Sequence, residues 1–381
     1  MDGLSRRPPV HRFSLQYLVI IPVLLAVATG LSLFLHSDTN VPMLYSQCHA
    51  RSRISWLSHI PVIGAPSCFL VSFFQEALAS ARSFAVMSVI LSFVGALLTV
   101  STVEAARICN GPNVLIAYPT GAWLVFNLLG GAIVWEVVII PAFFHRSREI
   151  ITARKQGPVA GVQGRATDPT FGEAMRHIGR VAEVVAIPTA VALGYVLPSV
   201  LMLVLDKPVP ILIWLFFPVW VSLLRQAVRE IILVLLRDDE SWWHTSIHLE
   251  SNRLALAAMY AVPIVCSVLS HGLLIWSLLA QADDRKEMTR ATLKFIVIDV
   301  FYIGLTVLYW IFVEAGCKVA LITLGAGVVL GPGAGLCIGF ICRENTINPH
   351  QSVTVVAVGS RRSSGGLEQG SPPSEESPLL R

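Results

Sequence analysis

Apolar positions in this chain come in long runs, not in strict alternation or narrow helical stripes. A helix needs about 20 apolar residues to cross the hydrocarbon core of a bilayer. Eight runs have that length: residues 13–35, 84–105, 118–144, 181–205, 209–226, 254–280, 291–314 and 318–342. A ninth stretch, 59–77, is long enough but carries Pro61, Gly64 and Pro66 in its first half, so it predicts either a broken span or a re-entrant segment. The expected fold is all-α: a polytopic integral membrane bundle of eight spans plus that broken or re-entrant one. The first run exceeds the apolar core of a signal peptide and lacks a small-residue cleavage site after it, so it reads as a signal anchor. A polar N-terminus (1–12), a transmembrane domain (13–342) and a Ser-, Pro-, Gly- and Glu-rich disordered tail (343–381) complete the expected organisation.

Composition agrees with the pattern. Of 381 residues, 54% are hydrophobic and 14% charged, against about 25% charged in soluble domains. This excludes nucleic-acid binders, secreted disulfide scaffolds and cytosolic enzymes. The net charge of +4 matters through its placement. The loop 145–180 holds Arg146, Arg148, Arg154, Lys155, Arg165, Arg176 and Arg180 against Glu149, Asp168 and Glu173, which marks it as cytosolic. Arg6, Arg7 and Arg12 assign the N-terminus to the same side. Both assignments require an even number of crossings between them, so with 13–35, 84–105 and 118–144 as spans either the ninth stretch also crosses or one of the two assignments is wrong. Cys48 and Cys68 flank a loop and can pair if it faces an oxidising lumen. The other five cysteines read as small hydrophobes.

Ionisable groups at bilayer depth cost several kcal/mol, roughly 2.5 to 3.5 on insertion scales, and are functional candidates by default. Glu104, Glu183 and Glu314 lie near span ends, where they can reach the headgroups, and Glu104 has Arg107 three residues on as a helix partner. Glu136, Asp299 and His271 sit eight to nine residues inside their spans, about 12 to 14 Å deep at 1.5 Å per residue. Within about 60° of Asp299 on its helix fall Thr292, Phe295, Tyr302, Thr306 and Trp310, so this stripe faces the bundle interior or a cavity, with Lys294 on the other side. Asp299 is either an acid in a reaction chamber or an interhelical hydrogen-bond partner. Glu136, beside Trp135, is either a second acid or a buried partner of a basic side chain. It lies about 180° round a straight helix from Asn127, so the two share a site only if Gly130 and Gly131 bend the helix. His271 shares a face with Tyr260 and Ser267.

Other motifs point to structure. His244 and His248 in SWWHTSIH lack a third metal ligand. DDRKE at Asp283–Glu287 matches a Mg²⁺-diphosphate motif, but Arg285 and Lys286 compete for its carboxylates and no second such motif exists, so it reads as a polar loop. Gly327, Gly331, Gly335 and Gly339 fail phosphate-loop spacing and predict close helix packing. No metal site and no cofactor are expected.

The segment IPVIGAPSCFLVSFFQEAL, with FNLLGGAIVWEVVIIPAFF and the basic HRSRE after it, resembles the polytopic membrane proteins of fungal indole-diterpene and meroterpenoid clusters, several of which are membrane-bound terpene cyclases. The resemblance covers the first half of the chain well and the rest by span layout. It implies secondary metabolism in the endoplasmic reticulum or another endomembrane, with cyclisation of a prenylated, often epoxidised lipophilic substrate by proton addition, possible alongside other pathway enzymes. No residue role comes with it. From the residues themselves, Asp299 and Glu136 are the candidate acids, and Phe295, Tyr302, Trp310, Trp135 and His271 the candidate substrate contacts. Aromatic faces can stabilise a travelling cation. The competing class is a membrane transporter, or a non-catalytic membrane component, in which the same buried groups would relay protons.

Overall fold

The computed structural model describes residues 8–36, 41–48, 61–156, 176–205, 207–235, 243, 245–249 and 252–347. Residues 348–381, most of the expected tail, and 157–175, the middle of the basic loop, lie outside them, as does His244. The described chain is all-α. In order it forms α1 (Leu15–His36), α2 (Val41–Gln47), α3 (Pro61–Ala77), α4 (Ala81–Ala106), α5 (Val114–Ala117), α6 (Thr120–Leu129), α7 (Gly131–Val134) and α8 (Ile140–Gln156). There follow α9 (Glu183–Val191), α10 (Leu197–Leu205), α11 (Pro208–Leu215), α12 (Phe217–Leu235), α13 (Arg253–Ala280), α14 (Glu287–Ala315), α15 (Cys317–Leu330) and α16 (Pro332–Ile347). Single π-helical turns, Trp135–Ile139 and Ala192–Val196, join α7 to α8 and α9 to α10.

Five described helices are long and apolar enough to cross a membrane: α1, α4, α9–α10, α13 and α14. The pair α11–α12, bent by 64° between Leu215 and Phe217, makes six if counted as one span. The expected eight spans are therefore not found, because two of the long apolar runs fold back on themselves. In the run 118–144, Gly130 adopts φ +115°, a left-handed geometry that ends α6 and starts α7 in a new direction. Both legs return to one end of the bundle. On the first, the Trp123 indole donates to Ser101 at 3.0 Å; after the second, Arg146 donates to the Cys109 carbonyl at 2.6 Å. Trp123 and Trp135 face each other across the turn, 5.7 Å between ring centroids.

The run 318–342 repeats the device. Gly331, at φ +95°, separates α15 from α16, and the two pack antiparallel. The glycines spaced by four are explained by that packing: a Cβ on Gly335 would run into the backbone of Gly327, and one on Gly339 into Thr323. Each hairpin tip is received by a polar side chain of a spanning helix. Asp299 of α14 accepts from Gly131 and Ala132 at the first tip, and Ser267 of α13 accepts from Ala334 at the second.

The folding back settles the orientation conflict. Arg148 donates to the Val10 carbonyl at 3.1 Å, so the N-terminus and the basic loop share one end. Among the described residues, only α1 and α4 between them are long and apolar enough to cross. The ninth stretch forms α3, whose Glu76 accepts from Thr289 near the opposite end, so it need not cross. At that opposite end Cys48 and Cys68 form a disulfide (Cα–Cα 5.4 Å) that ties α2 to α3. The loop before α14 also serves structure there: Asp284 accepts the Ala81 and Arg82 N–H groups at the start of α4, and Asp283 pairs with Arg285 and Arg290. The N–H of Ala81 is the main cause that holds the Asp284 carboxyl below its ordinary range.

At the basic end the expectation of headgroup-reaching carboxylates is corrected. Glu104 is buried and pairs with Arg107 (3.1 Å), as the helix spacing predicts, but also with Arg343 (2.5 Å). Arg343 further holds Glu314 and Glu344 at 2.9 and 3.1 Å. Glu183 binds Arg225 and Arg229 at 2.7 and 3.3 Å. These pairs are inside the protein, where carboxylate and guanidinium desolvate together. The expected tail boundary at 343 also moves, since Arg343 and Glu344 lie in α16, which runs to Ile347.

Candidate active site

The first hairpin stops halfway through the bundle, and the space beyond its tip is not filled. It forms a cavity of about 400 Å³ walled by α3, α4, α11, α14 and the tip itself. Six aromatic side chains line it: Phe69, Phe73, Phe74, Phe126, Trp214 and Phe295. They brace one another edge to face, Phe73 on Phe295 at 5.7 Å and Phe74 on Trp214 at 5.0 Å. The remaining walls are aliphatic, apart from Asn127, the glycine backbone of the tip and Asp299. Asn127 donates to the Leu215 carbonyl at 2.7 Å, where the break between α11 and α12 leaves that group without a helical partner.

Among the described residues, Asp299 is the one ionisable residue on the lining. Its Oδ2 accepts from Gly131 at 3.2 Å and its Oδ1 from Ala132 at 3.0 Å. These bonds satisfy N–H groups that the helix start leaves open and fix the carboxyl against the hairpin tip. A carboxyl oxygen has two lone-pair sites, so each retains one for a proton or a ligand. Gly131 makes the approach possible, because a Cβ there would sit 2.7 Å from the Phe126 ring and 3.0 Å from Asp299 Oδ2.

The predicted residues separate into three places. Asp299 and Phe295 line the cavity. Glu136 lies behind it, fully buried, with Thr29 of α1 and Thr306 of α14 within hydrogen-bond distance. Gly130 breaks the helix between Asn127 and Glu136, yet only Asn127 reaches the cavity. Tyr302 turns to Ser32 of α1, 2.9 Å from its hydroxyl. Trp135 and Trp310 are 6.4 Å apart in a closed aromatic cluster with Phe143 and Phe340, covered by the Arg343 guanidinium 4.5 Å from the Phe340 ring. His271 stands at the second hairpin, 3.2 Å from the Val328 carbonyl. Thus the stripe on α14 does face inward, but successive turns meet different neighbours.

Phe69, Phe73, Phe74, Phe126 and Trp214 were not among the sequence candidates. The spacing of Phe69 and Phe73 by four residues places both on one helix face, a signal the sequence does contain. Among the described residues no group of three or more His, Cys, Asp or Glu side chains could hold a metal ion. His248 packs instead against His177, 5.0 Å between rings.

Fold and site together define a multi-pass helical membrane protein with an aromatic chamber onto which the Asp299 carboxyl group opens. The chain matches the CtvD domain over residues 65–303 and belongs to that family. The matched region begins in α3 and ends in α14, and it includes every residue lining the cavity. No curated protein and no solved structure matches the chain.

Proposed function

We propose that the protein is a membrane-bound terpene cyclase that isomerises a prenylated, epoxidised substrate in the chamber around Asp299. The observation that carries this reading is the placement of one carboxyl group in a cavity whose side chains, Asn127 apart, are aromatic and aliphatic. Such a cavity takes a lipophilic substrate from the bilayer and excludes the water that would quench a cation. The Asp299 O–H bond breaks as its proton passes to the epoxide oxygen. The adjacent C–O bond then opens, and the alkene π electrons form the new C–C bond. Phe73, Phe126, Trp214 and Phe295 offer π faces to the resulting cation. Loss of a proton from carbon to the Asp299 carboxylate closes the cycle, so product and substrate are isomers and no cofactor is consumed. Oxidation that installs the epoxide falls to another enzyme of the pathway.

The layout of charge supports an endomembrane, with the basic end in the cytosol and the Cys48–Cys68 disulfide in an oxidising lumen. A second reading, a transporter, is favoured by one observation: two hairpins whose tips end at mid-bundle resemble the discontinuous helices that form transporter binding sites.

The test is expression with a prenylated epoxide precursor in a host lacking other cyclases. A cyclised product that disappears in Asp299→Asn, with membrane insertion intact, supports the enzyme. Full activity in Asp299→Asn removes Asp299 as the acid, and uptake or efflux without new product favours transport.

A further inference from the structure

Glu136 has an environment that proton counting can resolve. The Thr306 hydroxyl lies 2.8 Å from the Tyr302 carbonyl and 3.3 Å from Glu136 Oε1. A carbonyl only accepts, and threonine has a single proton to give. With that proton committed to Tyr302 at the shorter distance, Thr306 has only a lone pair left for Glu136. The second contact is a hydrogen bond only if Glu136 supplies the hydrogen. On the other side Thr29 lies 3.1 and 3.2 Å from the two carboxyl oxygens and has one proton for both.

As a carboxylate, Glu136 would therefore be a fully buried charge with one donor. It would have no ion-pair partner among the described residues and would lie within electrostatic range of Asp299. An uncompensated buried charge costs several kcal/mol. As a carboxylic acid it completes the pattern: Thr29 donates to one oxygen and the Glu136 O–H donates to Thr306. The π-helical turn Trp135–Ile139 holds Glu136 in the hairpin leg five residues beyond Gly131, whose N–H binds Asp299.

We infer that Glu136 is a positioning residue that acts as an uncharged acid, its O–H tying the first hairpin to α14 and so setting the tip against Asp299. Its catalytic consequence rests on the chamber reading above. Its protonation and its hydrogen bonds do not.

The experiment compares wild type, Glu136→Gln, Glu136→Leu and Asp299→Asn in lipid nanodiscs, by infrared spectroscopy and by product formation. The wild-type minus Glu136→Gln difference should contain a protonated-carboxyl C=O stretch, and Asp299→Asn should retain that band. A glutamine can accept from Thr29 and donate to Thr306, so Glu136→Gln should stay within about threefold of wild type, whereas Glu136→Leu should fall about tenfold or more, the scale of a lost buried hydrogen bond. A carboxylate band in place of the protonated one, or a Glu136→Gln variant as inactive as Asp299→Asn, overturns the inference. If Glu136→Leu does not fold, the band and the glutamine variant decide alone. If Asp299→Asn keeps full activity, the chamber reading fails while the Glu136 band still gives its own answer.

Discussion

At Gly131 three requirements meet: the N–H binds Asp299, the Cα faces the Phe126 ring, and the residue opens the second leg of the hairpin. A valine there forces Phe126 and the Asp299 carboxyl outward. The expected cost is that of overpacking a tight core, about 1 to 3 kcal/mol. Product formation should fall further than stability, because the displaced group is the proposed acid. Melting temperature and turnover of Gly131→Val measured side by side check this, and a variant with wild-type turnover would show that the tip contact has no catalytic part. Asp299 and Phe295 were legible in the sequence because depth and helical angle can be counted along one helix. Phe126, Trp214 and Asn127 were not, because they reach the cavity only after Gly130 and Phe216 redirect their helices, and a single backbone angle leaves no mark on a hydropathy pattern.

Between elements, the strongest ties are charged and buried. Arg343 returns from the second hairpin to Glu104 of α4, Glu314 of α14 and its neighbour Glu344. Removing it takes the ion pair from Glu314 and one of two close cations from Glu104 and Glu344, which keep Arg107. Arg343→Met should lower unfolding stability by about 3 to 5 kcal/mol, the usual cost of breaking a buried pair from one side, as read by denaturant unfolding in detergent micelles. A loss of less than half that would mean the carboxylates find other partners. The partners stand 239 positions apart, which is why Arg343 read as the first residue of a polar tail. At the other end Asp284 gives the opposite chemistry, an exposed carboxylate at the start of α4. Its carboxyl is held below its ordinary value of 3.8. Its contribution is present at neutral pH and lost only as pH falls through that lowered range. Asp284→Ala should lower the melting temperature at pH 7, and that difference should vanish in strong acid. A difference that persists there would point to packing and not charge.

Across the described residues, five candidate spans, or six with the bent pair α11–α12, and two hairpins place the N-terminus, the basic loop and Ile347 at one end and the disulfide at the other. The apolar runs announced an all-α membrane bundle and took in each candidate span found among the described residues. They overcounted because length and hydropathy register how much apolar chain is present, not whether it turns back. Cysteines introduced at His11 and Glu149 should react with a membrane-impermeant maleimide from the same side of sealed vesicles, and one at Asp283 from the other. Labelling of His11→Cys and Glu149→Cys from opposite sides would mean that the hairpin 118–144 crosses. On the proposed reading, the same layout sets the chamber at bilayer depth, where a lipophilic substrate would enter and the Asp299 proton would pass without competition from water.

That chemistry is tested most directly by the mass of the product formed by the purified protein in nanodiscs from a prenylated epoxide. The proposed cycle returns its proton, so the product should have the mass of the substrate, with the epoxide opened to a hydroxyl and one new carbocycle in its place, and none should form with Asp299→Asn. A product heavier by one water, or an isomer formed equally well by Asp299→Asn, would contradict it.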